Sequence, residues 1–94
     1  MEQAVPSYEK RVSIVNRKGL HARASAKFAS LALTFKSEIT VTKDGVTVNG
    51  TSIMGLLMLA APIGQSIVIR ARGEDAAEAI SALDDLVARK FDET

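Results

Sequence analysis

The chain has no cysteine, which excludes disulfide staples, thiolate nucleophiles and cysteine-based metal sites together. It has a single histidine, His21, too few for a zinc centre, and no metal or cofactor is expected. Tryptophan is absent, and the only aromatics are Tyr8, Phe28, Phe35 and Phe91, which leaves no obvious platform for stacking nucleic-acid bases. A formal net charge of +1 likewise lacks the strongly basic balance of a nucleic-acid-binding domain. No apolar run approaches membrane-spanning length, and residues 1–11, with Glu2, Glu9, Lys10 and Arg11, carry no apolar leader. Neither a membrane segment nor a secretory signal is expected, and the expected location is the cytoplasm. What the chain does have is a 47% apolar composition over 94 residues, enough for one domain to bury a core without staples.

Periodicity divides that domain into elements. Val12 and Ile14 alternate with polar neighbours, predicting a half-buried strand over 11–16, with residues 1–9 as a flexible tail and 10–94 as the domain. From Ala22 the period changes: Ala24, Phe28, Leu31 and Phe35 form the apolar stripe of a helix ending near 34–36. Ile39 and Val41, then Val46 and Val48, form two short strands separated by Asp44-Gly45, a strong hairpin signal, and Asn49-Gly50 breaks the second. Residues 52–60 predict a short helix with Thr51 or Ser52 as its N-cap and Pro62 and Gly64 as its stop. Ile67, Ile69 and Ala71 alternate in a fourth strand. Ala76, Ile80, Leu83 and Val87 then mark a last helix, opened by Glu74 and Asp75 and closed by Arg89 and Lys90. The order βαββαβα is an α+β layout: a four-stranded antiparallel sheet with three helices on one face.

Chemistry points to the run Asn16-Arg17-Lys18-Gly19-Leu20-His21-Ala22-Arg23, where strand gives way to helix. Imidazole is a proton carrier near neutral pH and a competent nucleophile toward phosphorus without a metal. A helix starting at Ala22 would turn its free N–H groups and positive dipole end toward an anion on that ring. Arg23 would add an always-charged fork, while Arg17, Lys18 and Lys27 read mainly as solvated charge with a minor steering role. Position alone also accommodates a capping or surface histidine. Ser52 is first of all a helix N-cap. In the helix that follows, Leu56 and Leu59 are expected in the core, while Ile53, Met54 and Leu57 are expected to be exposed as a partner surface, because apolar residues all round one short helix cannot all face one core.

Gly-Leu-His-Ala-Arg at 19–23, Glu-Ile-Thr-Val at 38–41 and Ser-Ile-Met-Gly at 52–55, in this order and spacing, resemble the HPr family, the histidine phosphocarriers of the bacterial phosphotransferase system. The likeness runs from about Lys10 to Phe91. It implies an open-faced β-sandwich that accepts a phosphoryl group from phosphoenolpyruvate through enzyme I and passes it to an enzyme II A component. It also implies that His21 is the phosphorylated histidine, Arg23 the arginine beside the phosphate, and Ser52 the serine that a regulatory HPr kinase/phosphorylase modifies in some members. Leu20, Ile53, Met54 and Leu57 would form the partner-binding surface of a monomeric carrier that is not itself a turnover enzyme.

One departure is visible. The family motif usually continues with proline after the arginine, whereas Ala24-Ser25 follows here. Alanine gives a less rigid helix start and adds one N–H donor, so altered tuning is expected rather than a lost site; the variant hints at the nitrogen-related branch of the system. An alternative from another class is a regulatory interaction domain of the same architecture, signalling through Ser52 and the 53–57 surface.

Overall fold

The computed structural model describes residues 4–93. Four strands, β1 (Ser7–Ser13), β2 (Glu38–Lys43), β3 (Val46–Asn49) and β4 (Ser66–Arg72), form one antiparallel sheet in the order β1-β4-β2-β3. Three helices, α1 (Ala22–Leu33), α2 (Ile53–Leu59) and α3 (Ala76–Ala88), complete the βαββαβα order.

Register explains which face they cover. Val12 lies opposite Ile67, and Ile69 lies between Lys10 and Val41, so Val12, Ile67, Ile69 and Val41 share the buried face of the sheet. The residues between them, such as Arg70 beside Glu9 and Thr40, point to the other face, where Arg70 Nη2 pairs with Glu9 Oε1 at 2.7 Å. One side is therefore packed under helices and the other is open. The predicted stripe of α3 is buried at every position, Ala76, Ile80, Leu83 and Val87. The stripe of α1 is buried at Ala24 and Phe28 and half-buried at Leu31, with Ser25, Ala29 and Ala32 completing the inner face; Phe35, expected on the same stripe, is half-buried just beyond the helix end. The Asp44-Gly45 turn, with φ of 50° and 80°, joins β2 to β3 as a two-residue hairpin of the twist-compatible type.

Three boundaries differ from the sequence expectation. β1 begins at Ser7, inside the stretch expected as a tail, and ends at Ser13 rather than Asn16. Its first half carries no hydrophobic signal because β1 is an edge strand held by backbone pairing, Ser7 to Arg72 through Ser13 to Ser66. Even Lys10, on the helix-covered side, reaches the edge and pairs with Asp84 of α3 at 2.5 Å. Beyond Ser13, Ile14 is buried and Asn16 sits fully buried in the loop that leads to His21. Helix α2 stops at Leu59, before Pro62, because Ala60 turns left-handed at φ 48°.

Candidate functional site

Gly19 sets the approach to the histidine. Its φ of +64° is a left-handed conformation, and a Cβ there would lie 2.4 Å from the Ala61 carbonyl oxygen, so the loop packs against the end of α2 as only glycine allows. Leu20 N–H then donates to Ala61 O at 2.9 Å, and Leu20 itself is buried at 4% exposure. His21 follows as the N-cap of α1, with extended backbone and no hydrogen bond from its side chain to the helix. The first helical bond is Ser25 N–H to His21 O at 2.8 Å, so the N–H groups of Ala22, Arg23 and Ala24 precede the ladder and remain directed out of the helix end.

A cleft of about 340 Å³ opens here, lined by Lys18, His21, Arg23, Lys27 and the chain end from Phe91 to Glu93. Arg23 is exposed and makes no ion pair or side-chain hydrogen bond among the described residues. Lys27 is not simply solvated: its Nζ donates to Phe91 O at 2.9 Å, tying α1 to the chain end. Arg17 does not line the cleft.

The chain end supplies what the sequence did not suggest. Lys90, Phe91 and Asp92 are all left-handed, with φ of 61°, 54° and 58°, and bring Glu93 back over the histidine. Glu93 Oε1 accepts from His21 Nε2 at 3.1 Å and from Asn16 Nδ2 at 3.3 Å, and Oε2 accepts from Lys18 N–H at 3.4 Å. Burial pushes the Glu93 pKa up, but the hydrogen bonds from Asn16, Lys18 and His21 together outweigh it and hold the carboxyl below its ordinary range. As a carboxylate Glu93 can only accept, so the shared proton belongs to His21 Nε2. Nδ1 has no hydrogen-bond partner among the described residues.

Helix α2 lies beside this loop: a shallow depression bounded by Lys18, Leu20, His21 and Ala60 to Pro62 joins the two. Ser52 is its N-cap, accepting from Gly55 N–H at 3.0 Å. Leu56 and Leu59 are buried as expected, whereas Ile53 and Met54 are exposed and Leu57 is half-buried. Leu20, expected on the partner surface, lies beneath it instead, because the Gly19 turn presses it under the end of α2. Met58, at 77% exposure, takes its place on the surface and was not singled out from the sequence. Residues 53, 54, 57 and 58 share one side of the helix, opposite 56 and 59. No helix among the described residues is long and apolar enough to cross a membrane.

An antiparallel sheet open on one face, with the chain's one histidine at the start of a helix beside a basic cleft, defines the class of protein: an open-faced β-sandwich. The family model described as "PTS HPr component phosphorylation site" matches residues 8–89, and the chain belongs to the HPr family. It is 54% identical to a phosphocarrier protein HPr of Neisseria meningitidis over 82 residues, covering 87% of this chain and 92% of the relative. It is 44% identical to a phosphocarrier protein NPr of Shewanella violacea over 85 residues, covering 90% and 93% of the two chains. Among solved structures, an HPr of Thermoanaerobacter tengcongensis superimposes with a TM-score of 0.88 at 44% identity, covering 93% of this chain and 98% of that one.

Proposed function

We propose that the chain is a phosphocarrier whose His21 takes a phosphoryl group from phosphorylated enzyme I and passes it to an enzyme II A component. The observation that carries this reading is the geometry of one ring: Nε2 is occupied by Glu93, and Nδ1 is unpaired at the mouth of a basic cleft. Phosphoryl transfer needs little covalent machinery from the acceptor, since positioning and charge stabilisation supply most of the rate. Nδ1 supplies the lone pair, the N–H groups at the start of α1 meet the phosphate oxygens, and Arg23, unpaired in the free protein, swings onto them. Ala24 keeps an N–H that proline would lack, one more donor in the same turn. The carrier does not turn over a substrate by itself; the second reacting group comes from each partner.

The exposed side of α2, Ile53, Met54, Leu57 and Met58, is the apolar centre of the surface on which those partners dock, rimmed by Lys18 and Arg23. Ser52 lies at its edge. A phosphate there, placed by an HPr kinase/phosphorylase, would meet the free N–H groups of α2 and add about −1.5 to −2 charge beside the apolar patch, opposing association.

Incubation with enzyme I and phosphoenolpyruvate, followed by mass analysis, tests the reading. We expect one phosphoryl group on His21, labile in acid and stable in base, absent from His21→Ala. Arg23→Ala should fold normally and transfer roughly tenfold more slowly, less than the ~10²–10³ loss from deleting a buried oxyanion-hole donor, because the guanidinium is exposed. An equivalent acid-labile label on His21→Ala would overturn the assignment.

A further inference from the structure

We infer that Glu93 is a positioning residue for this transfer, holding His21 by Nε2–H so that Nδ1 presents its lone pair to phosphorus; the inference rests on the phosphocarrier reading above. Three groups of the loop between β1 and α1 converge on that carboxylate from more than 70 residues away in the chain: the Asn16 side chain, the Lys18 backbone and the His21 ring. Its side chain is only 14% exposed, and that of His21 28%, so the pair is shielded far more than a surface ion pair.

The backbone that delivers Glu93 is the second observation. Three successive left-handed residues with side chains, Lys90 to Asp92, are unfavourable and persist only where the surroundings impose them. Here Phe91 is driven into the core at 2% exposure, and Lys27 clamps its carbonyl oxygen at 2.9 Å. Asn16 is the third. It is fully buried, its Nδ2 donates to Gly19 O at 2.7 Å and to Glu93, and its Oδ1 is left without a partner. Turning the amide over would aim Oδ1 at a carbonyl oxygen and a carboxylate, so the orphaned acceptor is the cost of directing the donor at Glu93.

The chemistry explains why a carboxylate belongs there. When the Nδ1 lone pair forms the N–P bond, the bond from phosphorus to the donor breaks and its electron pair leaves with the donor. The ring keeps the Nε2 proton and takes on positive charge, which Glu93 stabilises through the hydrogen bond it already makes. In the reverse step the same contact holds the ring still while phosphorus departs.

Two measurements on the full chain test this: the ring N–H resonance of His21 in the unphosphorylated protein, and single-turnover transfer from phosphorylated enzyme I across enzyme I concentrations. In wild type a protected Nε2–H signal is expected. Glu93→Ala should lose it and lower the maximal transfer rate about tenfold, the lower end for outer partners that orient a histidine, with half-saturation unchanged. Glu93→Gln, which keeps an acceptor without charge, should retain the signal and recover part of the rate. An unchanged maximal rate in Glu93→Ala, or a loss confined to half-saturation, would overturn the inference and leave the phosphocarrier reading standing. Failure to label wild-type His21 would instead overturn that reading, and with it this one.

Discussion

Replacing Gly19 with alanine separates two costs that glycine avoids, and Gly45 provides the control. Both residues are left-handed, with φ of +64° and +80°. Each alanine should lose roughly 1–2 kcal/mol to the left-handed backbone and regain about 0.4–1 kcal/mol from a less flexible unfolded chain. At Gly45 nothing lies within 4 Å of the added Cβ, so the cost ends there, at about 1 kcal/mol. At Gly19 the Cβ would sit 2.4 Å from Ala61 O and 2.9 Å from Pro62 Cα, both backbone atoms that cannot rotate away. The loop must retreat, at about 1–3 kcal/mol for overpacking. Leu20 N–H then loses its 2.9 Å bond to the same Ala61 oxygen, worth roughly another 1 kcal/mol.

Gly19→Ala should therefore cost about 3–5 kcal/mol, about 2–4 kcal/mol more than Gly45→Ala. Urea unfolding reads this as a fall in midpoint at constant slope. Because Gly19 O also accepts from Asn16 Nδ2, which in turn holds Glu93, Gly19→Ala should slow labelling of His21 while Gly45→Ala leaves it alone. Equal stability losses for the two variants would show that the Ala61 carbonyl has room to yield, and would refute the argument that this contact fixes the histidine loop.

Met54→Glu should weaken enzyme I binding by about 2 kcal/mol or more, as a charge at the apolar centre of an interface does. It should change monomer stability by less than about 0.5 kcal/mol because Met54 is 69% exposed; unfolding of the variant would place the side chain in the core. Ser52→Asp should slow enzyme I-driven labelling of His21 only in part, since aspartate carries less charge than phosphate, with Ser52→Ala near normal; equal rates for wild type and Ser52→Asp would leave Ser52 a helix cap alone. Asp75 accepts from Ser37 Oγ at 2.5 Å and from the N–H groups of Lys36 and Ser37, contacts that hold its carboxyl below the ordinary value of 3.8. The folded state then binds fewer protons than the unfolded one, so this contribution is present above pH 3.8 and fades as pH falls through the lowered value. Thermal melts from pH 5 downward should show a shallower acid loss in Asp75→Asn than in wild type, and parallel curves would show that Asp75 carries none of it.

How much of this was legible depended on whether the signal was local. The α3 stripe, the Asp44-Gly45 hairpin and the Ser52 cap are each written within a dozen residues, and each is realised. His21 was legible because it is the only histidine and sits at a change of period. The first half of β1 was not, since an edge strand is held by its neighbour's backbone, which no side-chain pattern records. Glu93 is a harder case: it lies 72 residues from His21 and 77 from Asn16, so only the folded chain makes them partners. Local sequence even argues the wrong way. Phe91 continues the i, i+4 spacing after Val87, and Lys-Phe-Asp contains none of the glycine that a left-handed turn prefers, so the stripe reads as more helix. The backbone reverses because burying Phe91 and clamping its carbonyl through Lys27 offset the unfavourable φ values, and a tertiary anchor of that kind overrides propensity. The same reasoning clarifies α2, whose uniform apolarity gave no clean stripe, although Leu56 and Leu59 were expected inward and Ile53, Met54 and Leu57 outward. Packing holds Leu56 and Leu59 inward, as expected, and that geometry leaves Ile53, Met54 and Met58 in solvent.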